Sequence, residues 1–332
     1  MTKLKYMLYS GEVEGEDAFV SGLFQWRNAF QKFGRGGEMS VRIDKDAMEE
    51  FDIVHVNYTP ANPTYITSLR NELGKSDTKL VVNVDYAVNM WNTLNPHVMK
   101  QQLDNADLVF HVESNGADRL SRLLDRHVPT LPHPVNTDEL KTFRKNERFP
   151  LVTCQYHRYF DTWCEYYYGL DILRRKNGQY EEYLDVTIPG IDVVLMNHSS
   201  GGIKGTRKGD LFTKVQERTA YGEYIRQQAN ALINIDITHD YTYGRGVVDC
   251  AALGVPTIGS RTIEAQRSIW PTLAVEPGND ADLRYKVFML LTNDALRDEL
   301  KLQGETKCEY YSLEKSYMRM VREVEELSTT AP

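Results

Sequence analysis

Tyr241-Thr-Tyr-Gly-Arg-Gly-Val-Val-Asp-Cys-Ala-Ala-Leu-Gly-Val-Pro-Thr-Ile-Gly259 is the stretch that decides the fold of this 332-residue chain. It follows an apolar run, Ala231-Leu-Ile-Asn-Ile-Asp-Ile-Thr238, that reads as a strand. Then come a turn holding Gly244 and Gly246, a short helix, a Gly254-Val255-Pro256 stop and a second buried strand. Gly244 and Gly246 leave backbone N–H groups to face an anion at a helix N-terminus. Asp249 falls on the first turns of that helix, where a carboxylate can hold the hydroxyls of a ribose.

Upstream, strands and helices alternate. Lys5–Ser10 reads as a strand, and a helix runs from Asp17 to Phe33. Asp52–Thr59 is a strand, and Asn62-Pro63 starts a helix to Leu73. Lys79–Asp85 is a third strand, followed by a helix after Pro96. Asp107–Val112 is a fourth strand, and Ser114 caps a helix through Leu124. The strands are apolar almost throughout, as parallel strands covered on both faces are. This alternation means an open α/β sheet. The polar stretch Lys141–Pro150 reads as a connection, and Leu151–Gln155 opens a second sheet. An aromatic helix from Asp161 to about Lys176, strands at Leu184–Ile188 and Ile191–Met196, and a glycine-rich loop at 197–209 follow. A helix over Tyr221–Asn230 leads back to the deciding stretch, and helices from about Asp280 and through Glu326 close the chain.

The stretch 241–259 resembles the nucleotide-sugar site of GT-B glycosyltransferases of the family-4 type. That family's signature is a Glu, seven residues and a second Glu, with an aromatic-Gly pair between them and a small-residue helix ending in Gly-x-Pro. Tyr243-Gly244 matches the aromatic-Gly pair, Asp249 the second Glu, and Ala251–Pro256 the helix end. Tyr241 occupies the place of the first Glu, with Asp240 one residue earlier. Either Asp240 substitutes for that acid or the donor is held differently. Leu131-Pro-His-Pro-Val-Asn-Thr-Asp138 resembles the segment that closes the family's first domain, and Asp52-Ile-Val-His-Val-Asn-Tyr58 one of its strands.

The fold this implies is α/β of GT-B type, with two Rossmann-like domains facing across a cleft. The expected parts are an acceptor-side domain over 1–142, a nucleotide-sugar-binding domain over 148–310, and a final helix over 311–332 packing back toward the first domain. The implied activity is transfer of a sugar from a UDP-, GDP- or ADP-sugar to a hydroxyl acceptor, with retention. The acceptor is a glycan, a lipid-linked glycan or a small molecule, with nucleic acid less favoured. Two rivals stay open: a GT-B nucleotide-sugar epimerase, and a degenerate GT-B protein that binds nucleotide or glycan without turnover.

Size and composition agree with this class. The chain is long enough for two ordinary domains. At 41% hydrophobic and 26% charged residues it is a packed protein, and no run reaches the ~18 apolar residues of a membrane span. The start lacks a signal-peptide pattern, and the four cysteines show no metal spacing. A cytoplasmic setting is expected, with peripheral membrane attachment as the variant. Leu23–Phe33 is the nearest membrane-facing candidate, but its spacing is that of a core-facing helix. The net charge of −8 gives no support to broad nucleic-acid binding.

In open α/β sheets ligands collect beyond the C-terminal strand ends. The donor-side candidates are therefore Tyr241, Tyr243, Gly244, Arg245, Gly246, Val247 and Asp249. The family places an Arg and a Lys after the first strand of its second domain. Arg158 stands about where the Arg belongs and the Lys is absent; Lys204, Arg207 and Lys208 in the glycine-rich loop are the candidate replacements, with a solvated loop as the alternative. Such cations offset the charge that grows on the leaving diphosphate, so no metal or bound cofactor is expected. Asp85 ends the third strand and can orient or deprotonate an acceptor hydroxyl; a turn role is the alternative. Gly11 and Gly15 resemble the family's glycine loop. Their neighbours Glu12, Glu14, Glu16 and Asp17 repel phosphate, so they face an acceptor or make a turn. Asp85, Arg158 and Asp240 form the expected catalytic set.

Overall fold

The structure is a computed structural model that describes residues 3–9, 22–40, 44–58, 65–74, 76–85, 95–148, 151–156, 192–197, 214–216, 221–238 and 241–329. The chain forms two compact units. The first is assembled from residues 1–136, 241–243 and 310–332, the second from 137–240 and 244–309.

Among the described residues the first unit carries five strands: β1 (Lys5–Tyr9), β2 (Gly36–Ser40), β3 (Ile53–Asn57), β4 (Lys79–Val84) and β5 (Leu108–His111). They pair in the order β2-β1-β3-β4-β5, all parallel. Successive side chains of a strand point to opposite faces, and both faces here are apolar. One buries Met7, Val54, Val56, Leu80, Val82 and Val84 under the helices Tyr65–Leu73, Pro96–Leu103 and Ser114–Leu124. The other buries Tyr6, Leu8, Ile53, Val81 and Phe110 under two helices, Gly22–Phe33 and Leu313–Thr329. Phe30 stacks on Tyr6 and meets Tyr317 edge-on, which ties the last helix to the first. The apolar stripe of Leu23–Phe33 is thus a core face, with Phe24, Trp26, Ala29 and Phe30 buried.

Caps fix the helix starts. Asn95 accepts from the His97 amide, and Pro96 takes the first helical position, where a missing N–H costs nothing. Glu113, not Ser114, caps the next helix: its buried carboxylate accepts from the amides of Asn115 and Gly116 at 2.8 and 2.6 Å. Its longer side chain reaches two orphan donors at once. His111 ends β5 buried, its Nδ1 taking the Glu113 amide at 3.1 Å, in a structural role.

Among its described residues the second unit holds six parallel strands in the order β11-β10-β9-β6-β7-β8. They are β6 (Leu151–Tyr156), β7 (Asp192–Asn197), β8 (Lys214–Gln216), β9 (Ile233–Asp236), β10 (Thr257–Ser260) and β11 (Ala274–Val275). A short helix, Thr137–Lys141, leads into the polar stretch, whose described residues 142–148 form neither helix nor strand. Arg144 and Arg148 donate to the carbonyls of Ala252 and Leu253, satisfying the open C-terminus of the helix Arg245–Leu253. Asn279 and Asn293 cap the two following helices, Asp280–Thr292 and Asp294–Lys307. The expected helix at 161–176, strand at 184–188 and loop at 197–209 lie wholly or almost wholly outside the described residues. No described helix is long and apolar enough to cross a membrane.

Candidate functional site

In the second unit the candidate residues stand where β9 passes to the helix Arg245–Leu253. Gly244 opens that helix in the left-handed region, at φ 85°, where a side chain is strained. A Cβ there would also meet Ile263 at 2.1 Å, so only glycine lets the turn pack against the Ile263 side chain. Gly246, in the first turn, has no side chain to stand over that end. At the far end Gly254 terminates the helix at φ 72°, with the Val255 amide bonded back to the Cys250 carbonyl at 2.8 Å.

Asp249 and Arg245 lie one turn apart and face each other. Arg245 Nε donates to Asp249 Oδ1 at 2.7 Å, and Arg245 Nη2 donates to the Tyr221 hydroxyl at 2.8 Å. The guanidinium also lies over the Tyr221 ring. The Asp249 side chain is 1% exposed. Burial raises its carboxyl pKa, and the Arg245 charge offsets only part of the rise. Burial likewise raises the Tyr221 hydroxyl, which keeps its proton. Val247 is buried within the same helix and Tyr241 is exposed. Two donor-side candidates thus hold each other, and Tyr221, which the sequence did not single out, completes the group.

Tyr243, the aromatic of the aromatic-Gly pair, belongs to the first unit. It is buried, and its hydroxyl donates to the His133 carbonyl at 3.0 Å. The loop carrying His133 is placed by Thr130, which bridges His111 at the end of β5, and by the Leu131 amide bonded to the His111 carbonyl at 2.9 Å. This brings His133 to the carboxyl edge of the sheet, where Asp85 follows β4. His133 Nε2 and Asp85 Oδ2 are 3.2 Å apart. The indole N–H of Trp26 donates to His133 Nδ1 at 3.2 Å.

A second polar line lies beneath this edge. The Tyr6 hydroxyl donates to His55 Nδ1 at 2.5 Å, His55 Nε2 donates to Asn83 Oδ1 at 3.0 Å, and Asn83 Nδ2 donates to Asn57 Oδ1 at 2.8 Å. Burial lowers the His55 pKa to about 3, with His133 nearby adding to the effect. His55 therefore stays neutral and serves as an internal brace.

Asp85, Tyr241, Tyr243, Gly244, Arg245, Gly246, Val247 and Asp249 are among the described residues, whereas Gly11, Gly15, Arg158, Lys204 and Asp240 lie outside them. The sequence reading missed Trp26, His133 and Tyr221 as members of these groups. Among the described residues no group of three or more His, Cys, Asp or Glu is placed to hold a metal ion.

The sequence matches no protein-family model and no curated protein. Solved structures do match. One, titled trehalose-6-phosphate from E. coli bound with UDP-2-fluoro glucose, superposes with a TM-score of 0.68 at 10% identity, covering 97% of this chain and 99% of that one. Anabaena Alr3699/HepE in complex with UDP gives 0.66 at 9% identity, over 98% and 100%. A sucrose-phosphate synthase from Thermosynechococcus elongatus gives 0.57 at 15% identity, over 85% and 75%. These identities speak for the fold alone: the chain has the GT-B fold.

Proposed function

We propose that the protein is a glycosyltransferase that moves a sugar from a nucleoside-diphosphate sugar to a hydroxyl acceptor. The observation that carries this is the glycine-opened helix Arg245–Leu253 after β9, bearing Arg245 and Asp249, in a fold whose solved relatives were captured with UDP and a UDP-sugar. The helix start offers amide donors and a favourable dipole to a diphosphate. Arg245 and Arg158 are the cations for the leaving group, with Lys204 in reserve, and Asp249 is the ribose acceptor. Asp240 takes the place of the family-4 acid, next to Tyr241 in the chain, whereas Val247 is buried within the helix. In the first unit Asp85, with Gly11 and Gly15 of the family pattern, serves the acceptor.

In the reaction the acceptor oxygen bonds to the anomeric carbon as the bond from that carbon to the diphosphate breaks. The electron pair leaves with the phosphate oxygen, and the acceptor proton passes to that phosphate or to Asp85. Helix dipole and arginines stabilise the growing charge, so no metal is required. Retention at the anomeric carbon belongs to this reading.

The closed Arg245–Asp249–Tyr221 group supports a second reading, a GT-B protein that binds nucleotide or glycan without turnover. Calorimetry with UDP, GDP and ADP, followed by nucleotide release from UDP-glucose, GDP-mannose and ADP-glucose, separates the two. Release that persists in excess EDTA supports the transferase. Binding without release selects the binder, and absence of both rejects the donor site.

A further inference from the structure

We infer that Trp26 and His133 aim the Asp85 carboxylate, with His133 acting as a positioning residue for the acceptor side. This rests on the transferase reading above. An indole N–H can only donate. Because Trp26 donates to His133 Nδ1, that nitrogen carries no proton, and Nε2 carries it instead. Nε2–H then points at Asp85 Oδ2, 3.2 Å away. One carboxylate oxygen is held and the other is left for a ligand. The Asp85 side chain is 48% exposed while that of His133 is 6% exposed, so a buried imidazole holds a carboxylate that solvent and substrate reach.

The imidazole is confined on several sides. Gly22 packs so closely that a Cβ there would lie 2.4 Å from the His133 Cβ. Tyr243 meets the ring edge-on and binds the His133 carbonyl. Pro132 and Pro134 flank the residue, and Pro134 drives His133 toward extended backbone. Trp26 is itself fixed, fully buried and edge-on to Phe110. A histidine that merely filled space would need neither a tautomer set by a tryptophan nor a donor aimed at an exposed carboxylate. Tyr243 thereby acquires a role different from donor binding: it clamps the backbone of the positioning residue.

The test uses the full chain and two readouts. Nitrogen-15 NMR of the His133 ring should show a protonated Nε2 and an unprotonated Nδ1, and Trp26→Phe should perturb the Nδ1 signal. A protonated Nδ1 in the wild type overturns the inference. In UDP-glucose, GDP-mannose or ADP-glucose turnover, His133→Phe should lower kcat by up to about 100-fold, the scale of a small misplacement, with donor KM unchanged. His133→Gln, whose amide N–H mimics Nε2–H, should recover most of the loss. Gly22→Ala, which keeps every polar group but displaces the ring, should reproduce the His133→Phe defect. Wild-type kcat in His133→Phe, or no recovery in a folded His133→Gln, overturns the inference. If the wild type turns over none of the three donors, the transferase reading falls, and the ring spectra alone decide whether Trp26 and His133 hold Asp85.

Discussion

Asp85, just past the end of β4, and Asp249, on the helix that follows β9, are both aspartates, yet their surroundings are opposite. Asp85 is half exposed, with the buried His133 imidazole 3.2 Å from its carboxylate. Asp249 is buried and paired with a guanidinium. A carboxylate of the first kind meets a substrate hydroxyl without rearrangement. One of the second kind does so only after its arginine lets go, and until then its pairing serves the fold. Residue type does not separate these cases, nor does the strand end that made Asp85 a candidate or the family register that made Asp249 one; the partner and the burial do.

The largest expected effect tests the closed side. Arg245→Ala strands a buried carboxylate and should cost about 3 kcal/mol of unfolding free energy in urea. Adding Asp249→Asn should return much of it. A loss below about 1 kcal/mol would mean that Asp249 rehydrates easily, and the contrast with Asp85 would shrink.

Acid tests the support under Asp85. His55 has its pKa lowered to about 3 in the folded chain, against 6.5 when unfolded. The unfolded chain therefore takes up a proton that the folded chain refuses. This stabilising contribution is complete above pH 6.5 and is lost as the pH falls from there toward 3. The slope is about 1.4 kcal/mol per pH unit, or about 3 kcal/mol by pH 4. His55→Gln should flatten the difference between denaturation curves at pH 7 and pH 4.

Ligand binding sharpens the contrast directly. Asp249→Ala should weaken whichever of UDP, GDP or ADP binds by roughly 1–3 kcal/mol, while Asp85→Asn should leave that affinity intact and reduce transfer. Calorimetry showing unchanged nucleotide affinity in Asp249→Ala, alongside lowered stability, would leave Asp249 a purely internal role. The smallest effect concerns Tyr243→Phe, which removes one hydrogen bond worth about 1 kcal/mol. Its loss should appear in unfolding and in acceptor-side kcat; a drop in nucleotide affinity would move Tyr243 back among the donor contacts.

The strands were legible where both faces are buried, because β1, β3, β4 and β5 are mostly apolar runs, and β9, Ile-Asn-Ile-Asp, sits within the apolar stretch from Ala231 to Ile237. β2 was not. Its sequence, Gly-Gly-Glu-Met-Ser, carries no apolar pattern, and Gly37 is there because the strand runs against the Arg27 carbonyl, 2.2 Å from where a Cβ would sit. β8, three residues long, gave no signal either. On the closed side, Arg245 and Asp249 stand four apart on one helix, a spacing that foretells a pair; reading each as a ligand obscured it. The Trp26–His133–Asp85 group was beyond reach, since its bonds join residues 107 and 48 positions apart and depend on how the sheet edge folds.

The three-piece make-up of the first unit has a consequence for synthesis. Its sheet and early helices leave the ribosome by residue 136, but Tyr317, Met320, Val321 and Val324, which cover one face of its core, come almost two hundred residues later. At ~5–20 residues per second the interval is roughly 10–40 s. Throughout it Trp26 and Phe30 sit under an incomplete roof, so the nascent chain offers a sticky surface to chaperones. A fragment stopping at residue 309 would keep that surface permanently and should precipitate where the full chain does not.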